Sequence, residues 1–514
     1  MFLGAVQPRV TARKSSLKRI KLPLKGWNTA LPYSDMDEDY AVVMDNVFPD
    51  SRRLTTRGGH ESYSTGMTGN VETLFVYNPE DGNAKMFAAN DGKIYDITAG
   101  GAVGAAVKSA LSSDQWQYVN VGTSGGHFIF ACNGADTALT YNGTTWANTT
   151  LTGPTTTALV TCNLHQRRLW VMESNSLSAW YGGTDAITGA FTEFPMSAIA
   201  NMGGHLMGMA TWTRDAGDGQ DDVAVFVTSE GQAIIYSGTD PSSASTWSLV
   251  GVFRIGKPIG RRFYIKAGGD LVLITEDGFV SLSNVLGKDR SQVDSSAISA
   301  QINSVVNEAA RLASGNFGWQ AVLYPRGKML VFNVPLDGDT SHQYVFNTLT
   351  KAPCRFTGMD ANCWTTFDDN LFFGGKDGKV YKADTGTNDN GSNIDCVVIP
   401  AFNEFNDGGL VKIASLAKII FEAEGDVAFA FQVFKNYIVP EFIDVSAAVA
   451  SSSSLWDSAI WDSSVWGGET IREYWRGVNG RGHALALGIS LRPGESEVSI
   501  TDLKLMFQTG GALR

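Results

Sequence analysis

MFAANDGKIYDI (86–97) and LFFGGKDGKVYKAD (371–384) share one pattern, in which an apolar run, an Asp-Gly pair and a second run of strand-forming residues follow each other. Asp-Gly between two such runs is a strong local signal for a β-hairpin. The pattern therefore predicts a hairpin in each segment. Five segments between them have the same form, centred on Gly134, Asn175, Gly231, Gly278 and Gly338.

The spacing of these seven hairpins predicts how they assemble. They recur about every 48 residues, a repeat typical of β-propeller blades made of four short strands. One blade alone cannot bury both of its faces, whereas blades packed around an axis can. A row of β-sandwich domains of ~100 residues is the alternative. Regular hairpins favour an all-β fold with a β-propeller of six or seven blades over residues 71–385.

The composition agrees with an all-β protein. The 514 residues are 43% hydrophobic and only 18% charged, with 56 glycines and a net charge of −12. These values exclude a disordered chain, a coiled coil and a collagen-like fibre. No apolar run approaches the ~18–20 residues of a membrane-spanning helix. Five cysteines without a CxxC pair argue against a disulfide framework or zinc site and favour folding in a reducing cytoplasm.

The N-terminal segment differs from the rest of the chain. Residues 1–34 contain several Lys and Arg residues and no acidic residue, so we expect an extended basic docking arm. Attraction to DNA phosphates and docking on an acidic partner are both open. Residues 35–70 are expected to hold lead-in strands that join a platform or close the propeller. The candidate contact residues of the arm are Arg13, Lys14, Lys18 and Arg19.

One segment departs from the strand pattern. Apolar residues recur at helical spacing near 294–312, and Asp294 or Ser295 is a candidate N-cap. The segment predicts one amphipathic helix inserted between blades, which either packs on the propeller or contacts a neighbouring subunit. Its apolar positions are Ile298, Ile302, Val305, Val306, Ala309 and Leu312.

A second β domain is expected at the C-terminal end. The polar run DTGTNDNGSN (384–393) predicts a linker at 386–394, and residues 395–514 are expected to form a β platform. Longer strand patterns follow, and two hairpins are predicted, one about Gly425 and one at Pro493-Gly494.

A tryptophan-rich strip, LWDSAIWDSSVWGG (455–468), lies inside this platform region. Trp456, Trp461 and Trp466 recur every five residues, which fits neither a strand nor a helix. The strip is expected either to clip onto the platform or to contact a subunit or partner, with a sugar-binding platform as a third interpretation.

The sequence contains no constellation typical of an enzyme. The six histidines have no metal-ligand spacing, and no nucleophile elbow, Walker loop or dinucleotide fingerprint is present. The aspartate-rich segment RDAGDGQDD (214–222) lacks calcium-loop spacing. SSASTW (242–247) keeps only the Thr and Trp of the sialidase turn. We therefore predict no enzymatic activity and no catalytic, cofactor-binding or metal-binding residues.

Three stretches carry a resemblance to a known family: AVVMDNVFPDSRRLTTRGGH (41–60), IIYSGTDPSSASTWSLVGVFRIGKPIG (234–260) and WDSAIWDSSVWGG (456–468). They resemble the nozzle, or tail tubular B-type, proteins of short-tailed bacteriophages. Together they cover about an eighth of the chain. The resemblance implies a propeller with a platform built from terminal segments.

The same resemblance implies a function without catalysis. It implies a structural virion protein of the tail, assembled in the host cytoplasm as a homo-oligomer, in this case a hexameric ring. The ring would lie below the portal and its adaptor, contact tail fibres or spikes, and pass double-stranded DNA without sequence-specific binding during genome retention and ejection. The alternative is a propeller that binds or hydrolyses host glycans.

Overall fold

The computed structural model describes residues 15–215, 220–286, 297–424, 427–440, 448–449, 471–494 and 496–510. The chain divides into two compact units. The propeller unit is Gly58–Ser392, and the platform unit combines the segments up to Arg57 and from Asn393. The two boundaries between the units therefore fall inside the predicted lead-in segment 35–70 and inside the predicted linker 386–394. Among the described residues, no helix combines the length and apolar character needed to span a bilayer.

The described residues of the propeller unit contain seven sets of three or four consecutively paired antiparallel strands, which we call blades 1 to 7. The fold is therefore all-β and a β-propeller, as predicted. The strands are Thr73–Tyr77, Lys85–Asn90 and Lys93–Asp96 (blade 1); Gln117–Thr123, Gly126–Cys132, Leu139–Tyr141 and Trp146–Asn148 (blade 2); Leu159–His165, Arg168–Glu173, Ser178–Thr184 and Thr192–Pro195 (blade 3); Leu206–Asp215, Gln220–Thr228, Gln232–Gly238 and Trp247–Arg254 (blade 4); Tyr264–Ala267, Asp270–Thr275 and Gly278–Ser281 (blade 5); Gln320–Tyr324, Met329–Pro335, Ser341–Asn347 and Pro353–Phe356 (blade 6); Ala361–Phe367, Asn370–Gly375, Val380–Ala383 and His60–Thr65 (blade 7).

All seven predicted hairpins are confirmed, and each joins the second and third strands of one blade. In blade 1, for example, Asn90 pairs with Lys93 across the Asp91-Gly92 turn. Both turn residues have positive φ, 52° and 68°, as a two-residue turn between twisted strands requires. The local turn chemistry thus marks one hairpin for every blade.

The ring of blades closes through a strand from the beginning of the unit. His60–Thr65 pairs with Val380–Ala383 and forms the fourth strand of blade 7. Blade 7 in turn contacts blade 1 through their innermost strands. Blades 1 and 2 are joined by the Asn120 side chain, whose Nδ2 donates to Val76 O at 2.9 Å. Closure removes the exposed sheet edges that an open row of blades would leave at its two ends.

Two blades lack a regular fourth strand among the described residues. In blade 1, the Val107 N–H donates to Ile94 O at 2.8 Å, so a short extended segment takes that place. In blade 5, the Ile298 N–H donates to Phe279 O at 2.8 Å. The Phe279 N–H donates to Ser299 Oγ at 2.9 Å. The chain before the predicted helix therefore covers the edge of blade 5.

The predicted helix is present between blades 5 and 6. A 3₁₀ turn at Ala300–Ile302 leads into the α-helix Asn303–Ala313. Ile302, Val306 and Ala309 are buried as predicted. The prediction that Leu312 lies on the buried face is wrong: Leu312 is 67% exposed, because Ala310 and Ala313 occupy the edge of the buried stripe instead. The candidate caps Asp294 and Ser295 lie outside the described residues.

The strands that the structure describes in the platform unit form two hydrogen-bonded sets, which we call the front sheet and the back sheet. The front sheet holds Ser15–Ile20, Val47–Pro49, Leu54–Thr56, Lys412–Glu422, Ile471–Gly482 and Ser499–Thr509, and the back sheet holds Ala41–Asp45, Cys396–Pro400, Val427–Lys435, Leu485–Arg492 and Ala448–Val449. Shorter elements complete the description of both units: Gly101–Ala102, Leu151–Thr152, Gly189–Ala190, Asn388–Asp389, Ser392–Asn393, the helix Leu282–Val285 and the 3₁₀ turn Thr156–Ala158.

Both hairpins predicted for the C-terminal region are wrong. Lys412–Glu422 pairs with Ser499–Thr509 in the front sheet, whereas Val427–Lys435 pairs with Leu485–Arg492 in the back sheet. The connection predicted to turn about Gly425, which lies outside the described residues, therefore joins strands of different sheets. The Pro493-Gly494 connection does the same. Each strand buries its apolar face against the other sheet, as in a β-sandwich.

The described part of the predicted basic arm is folded. Ser15–Ile20 is an edge strand that pairs with Ser499–Thr509, so that Ser15 lies opposite Gln508 and Ile20 opposite Leu503. Trp27 is only 5% exposed, and its indole N–H donates to Val42 O at 3.2 Å. Residues 15–34 thus form part of the platform unit rather than a free arm.

Candidate interaction surface

The outward face of the front sheet carries a row of four opposed residues. Arg19 lies opposite Lys504, Lys504 opposite Lys418, and Lys418 opposite Trp475. Directly opposed residues on neighbouring strands project from the same face. We call this set the Arg–Lys–Trp row. The Arg19 side chain is 69% exposed, and Trp475 is 42% exposed.

The strand period of two explains why this row faces outward. Leu503 and Leu505 flank Lys504, and Ala417 and Ile419 flank Lys418; all four are buried. Alternate residues of these strands therefore fill the core between the two sheets. The charged row occupies the opposite face, away from this core.

A second row beside it is apolar. Leu17 lies opposite Met506, and Met506 opposite Leu416. Leu17 is 46% exposed and Leu416 is 36% exposed. Adjacent apolar and cationic rows that include a tryptophan and an arginine are typical of protein–protein interfaces, where these two residue types are enriched.

Two carboxylates neutralise part of the positive charge. Asp502 accepts from Arg19 Nε at 2.6 Å and lies 3.2 Å from Lys504 Nζ. Glu473 lies 2.5 Å from Lys418 Nζ, and the hydrogen bond from Lys418 lowers the pKa of Glu473 below its usual range. Three cations therefore face two carboxylates.

The tryptophan is held in this network. The Trp475 indole N–H donates to Glu473 Oε1 at 3.1 Å, and Lys418 Nζ lies 5.3 Å from the Trp475 ring centroid. The Lys418 side chain is only 12% exposed, so Trp475 and Glu473 shield its ammonium group. These two contacts hold the indole in a position where Trp475 is 42% exposed.

The structure describes only some of the residues predicted as contacts. Arg19 belongs to the Arg–Lys–Trp row. Lys18 is exposed on the same edge strand, opposite Leu505. Sequence reasoning missed Lys418, Trp475 and Lys504, because only the strand register brings them beside Arg19. Five predicted contact residues lie outside the described part of the chain: Arg13, Lys14, Trp456, Trp461 and Trp466.

The described residues show no metal centre. Among them, no group of three or more His, Cys, Asp or Glu side chains lies close enough to hold a metal ion. In the aspartate-rich segment, Asp222 accepts a hydrogen bond from Thr213 Oγ1 at 2.7 Å. All five cysteines are buried free thiols.

His165 is the most strongly perturbed histidine among those described. Burial lowers its pKa to about 4. Thr211 Oγ1 donates to Leu164 O at 3.0 Å and lies 3.1 Å from His165 Nδ1. Since the hydroxyl proton is used on Leu164, we assign the imidazole proton to Nδ1, which donates to Thr211. The neutral ring packs edge-on against Trp247, an arrangement that stabilises the fold.

Comparison with known proteins supplies only fold likenesses. No known protein family and no curated protein matches the sequence. Among solved structures, BBS1N in complex with ARL6DN is similar over 64% of this chain and 98% of its own, with 11% identity and a TM-score of 0.41. The extracellular domain of BT4673, a putative hybrid two-component system from B. thetaiotaomicron, matches over 63% and 39%, with 12% identity and a TM-score of 0.42. Chaetomium thermophilum Raptor matches over 65% and 29%, with 11% identity and a TM-score of 0.37.

Proposed function

We propose that this protein is a structural component of the tail of a short-tailed bacteriophage, where it forms a nozzle ring that continues the DNA channel. The observation that carries the proposal is the order of the two units along the chain. A propeller, Gly58–Ser392, is inserted into a platform assembled from the segments on either side of it. That is the arrangement which the resemblance to nozzle proteins implies.

The front sheet supplies a surface suited to ring contacts. Subunits of a ring meet through heterologous interfaces, in which two different surfaces of the same chain contact each other. The Arg–Lys–Trp row and the apolar row beside it give such an interface a tryptophan anchor and a cationic rim. Because the chain has a net charge of −12, a second copy attracts this cationic rim at long range.

The charge also suits a DNA conduit. A channel lined with cations would hold the phosphate backbone and slow the passage of DNA. A chain with a net charge of −12 repels DNA at long range. In this proposal, the ring holds and releases the genome by its geometry, contacts the tail adaptor and the fibres or spikes, and catalyses no reaction.

Electron microscopy and native mass measurement of the purified protein test the proposal. We expect ring-shaped particles with six-fold symmetry and an open centre, with a mass six times 55.2 kDa. A protein that stays monomeric both alone and when mixed with tails lacking it would contradict the proposal. A glycan array on the same sample detects the alternative function, in which a monomeric propeller binds host sugars.

A second experiment tests the role in genome delivery. Phage particles assembled without this protein are expected to lose packaged DNA or to fail in ejection, because the channel would end at the adaptor. Particles that lack the protein yet retain and eject DNA normally would disprove the conduit role. A matched preparation with the protein restored from a plasmid controls for polar effects of the deletion.

A further inference from the structure

A contact between copies on the front sheet requires a second surface on the same chain. Each copy in a ring meets its two neighbours through two different surfaces. The Arg–Lys–Trp row and the apolar row form the first surface, where Leu17, Leu416 and Trp475 are 46%, 36% and 42% exposed. Three cations face two carboxylates on this surface, so a surface that matches it is acidic and partly apolar.

The other side of the platform unit is the face of the back sheet that points away from the front sheet. The Phe429 ring centroid lies 5.9 Å from that of Phe421 in the front sheet, so Phe429 points toward the front sheet. Phe434 follows five residues later in the same regularly paired strand and therefore points to the opposite face. There it packs in a cluster with Met36 and Phe402. The chain around Met36 thus covers the outer side of the back sheet.

This part of the chain carries an excess of negative charge. We call residues 31–39 the acidic loop. Its carboxylates are those of Asp35, Asp37, Glu38 and Asp39. Lys21 and Lys25 lie beside the loop, and their Nζ atoms are 3.5–4.0 Å from three of these carboxylates. Because two lysines oppose four carboxylates, the loop remains acidic.

The acidic loop is held in place and presents apolar groups as well. Asn403 Nδ2 donates to Glu38 Oε1 at 2.6 Å, and the Tyr33 ring centroid lies 6.2 Å from that of Phe402. Leu31 and Tyr33 are nevertheless 38% and 39% exposed. The loop therefore offers a partner both carboxylates and apolar side chains in a fixed arrangement.

The acidic loop matches the front-sheet surface in charge and in apolar character. The Arg–Lys–Trp row has more cations than carboxylates, and the loop has more carboxylates than cations. Opposite potentials across an interface speed the encounter and disfavour wrong pairings. Both surfaces leave large apolar side chains exposed, which a contact between them removes from water. Since the two surfaces face away from each other, one chain cannot pair its own row with its own loop.

We propose that the outward face of the front sheet is the docking site for the acidic loop of a second copy of this chain. The cations of the row face the carboxylates of the loop, and the exposed apolar side chains of both surfaces pack between the copies. The contact is heterologous, so it repeats from copy to copy until the ring closes. This inference rests on the proposed function, from which it takes the ring, and it adds which two surfaces meet.

Two double variants test the pairing by reversing one surface each. Arg19→Glu with Lys504→Glu reverses the row, and Asp35→Lys with Asp37→Lys reverses the loop. We expect each variant alone to associate at least about tenfold more weakly than the wild type, because like charges then face each other. An equimolar mixture is expected to form rings again, since alternation of the two variants places opposite charges at every contact. Sedimentation velocity and electron microscopy measure the assembly.

The outcomes separate this inference from the proposed function. Rings in the wild type together with unweakened rings in either variant alone would overturn the pairing and leave the proposed function intact. A mixture that stays unassembled, although circular dichroism shows both variants to be folded, would also overturn the pairing. A wild type that forms no ring, alone or on tails lacking the protein, would contradict the proposed function and the inference together.

A matched control tests for a general effect of charge. Glu276→Lys with Asp339→Lys reverses two exposed carboxylates of the propeller unit and changes the net charge by the same amount as the loop variant does. We expect this control to form rings as the wild type does. Equal weakening in the control and the loop variant would assign the effect to net charge and overturn the inference.

Chemical crosslinking keeps the test decisive if a charge-reversed variant fails to fold. A carbodiimide joins a lysine amine to a carboxylate that touches it, and it acts on wild-type rings. We expect a link from Lys504 to Asp35 or Asp37, identified by peptide mass spectrometry. Because the row and the loop lie on opposite sides of the platform unit, this link joins two copies. Crosslinked rings in which no carboxylate of the acidic loop is joined to the front sheet would overturn the inference.

Discussion

Ser64 lies opposite Val380, so the strand that begins the propeller unit completes the blade that ends it. The Ser64 hydroxyl also donates to Gly101 O at 3.1 Å, which ties the closing strand to the chain that follows blade 1. The closed ring therefore depends on residues from opposite ends of the unit.

Breaking this closure is expected to destabilise the propeller. Ser64→Pro removes a backbone donor and restricts φ inside the closing strand, at a cost on the order of 3 kcal/mol. Ser64→Ala removes only the side-chain hydrogen bond and is expected to cost about 1 kcal/mol. Urea unfolding of both variants measures the difference. Equal losses would show that the hydroxyl, and not strand pairing, determines closure.

The glycine at the blade 5 hairpin is expected to be intolerant of a side chain. Gly278 has φ of +115°, and a Cβ there would lie 2.5 Å from Ser299 Oγ and 2.6 Å from Asn303 Oδ1. Gly278→Ala should therefore cost about 2 kcal/mol through strain and displacement of the helix start. Gly338→Ala is the matched control, since nothing lies within 4 Å of its Cβ position. Thermal unfolding that ranks Gly338→Ala as the more harmful change would contradict this prediction.

Acidification is expected to destabilise the propeller through His165. Its pKa is lowered from 6.5 to about 4 in the folded protein. Between these two values the unfolded state binds a proton that the folded state does not, so stability falls as pH decreases through this window. The maximum loss is on the order of 3 kcal/mol. His165→Phe should reduce the decline in the free energy of unfolding between pH 6.5 and about 4. Denaturant unfolding measures this free energy across the pH range, and each protein is compared with its own value at neutral pH. A variant with the wild-type slope would assign the decline to other groups.

The front sheet is expected to control assembly rather than folding. Trp475→Ala removes an exposed indole, so we expect a change in unfolding free energy below about 1 kcal/mol but loss of oligomers in sedimentation experiments. Ile438→Ala, at another exposed apolar residue of the platform unit (65% exposed), is the control. Intact oligomers in Trp475→Ala would exclude this face as the subunit contact.

The propeller could be predicted from sequence because its signals are local. In blade 1 only Asp91 and Gly92 separate the paired residues Asn90 and Lys93, and a two-residue turn leaves no other partner within reach. The platform has the same succession of strand, turn and strand. Its connection from Arg492 to Ser499 crosses to the other sheet, although it is as long as the connection from Cys132 to Leu139 in the blade 2 hairpin. Connection length therefore does not distinguish the two cases, and the partner of each platform strand is decided by strands far away along the chain.

The candidate surface was less accessible to sequence reasoning. Arg19 could be selected because it lies in a segment without acidic residues. Lys418, Trp475 and Lys504 lie in strands far apart along the chain, and each looks like an ordinary outward-facing residue of its own strand. Their common row follows from pairing register, which depends on how two sheets pack. No local pattern specifies that register.

The insertion of the propeller into the platform has a consequence for biosynthesis. Ser15–Ile20 pairs with Ser499–Thr509, so the front sheet cannot be completed until nearly the whole chain has left the ribosome. The propeller has all its strands by Ala383 and can close earlier, since domains fold as units during synthesis. A nascent chain therefore carries a finished propeller while its first platform strands still lack their partners. Any surface that the front sheet provides becomes available only on completed molecules, which restricts assembly to full-length chains.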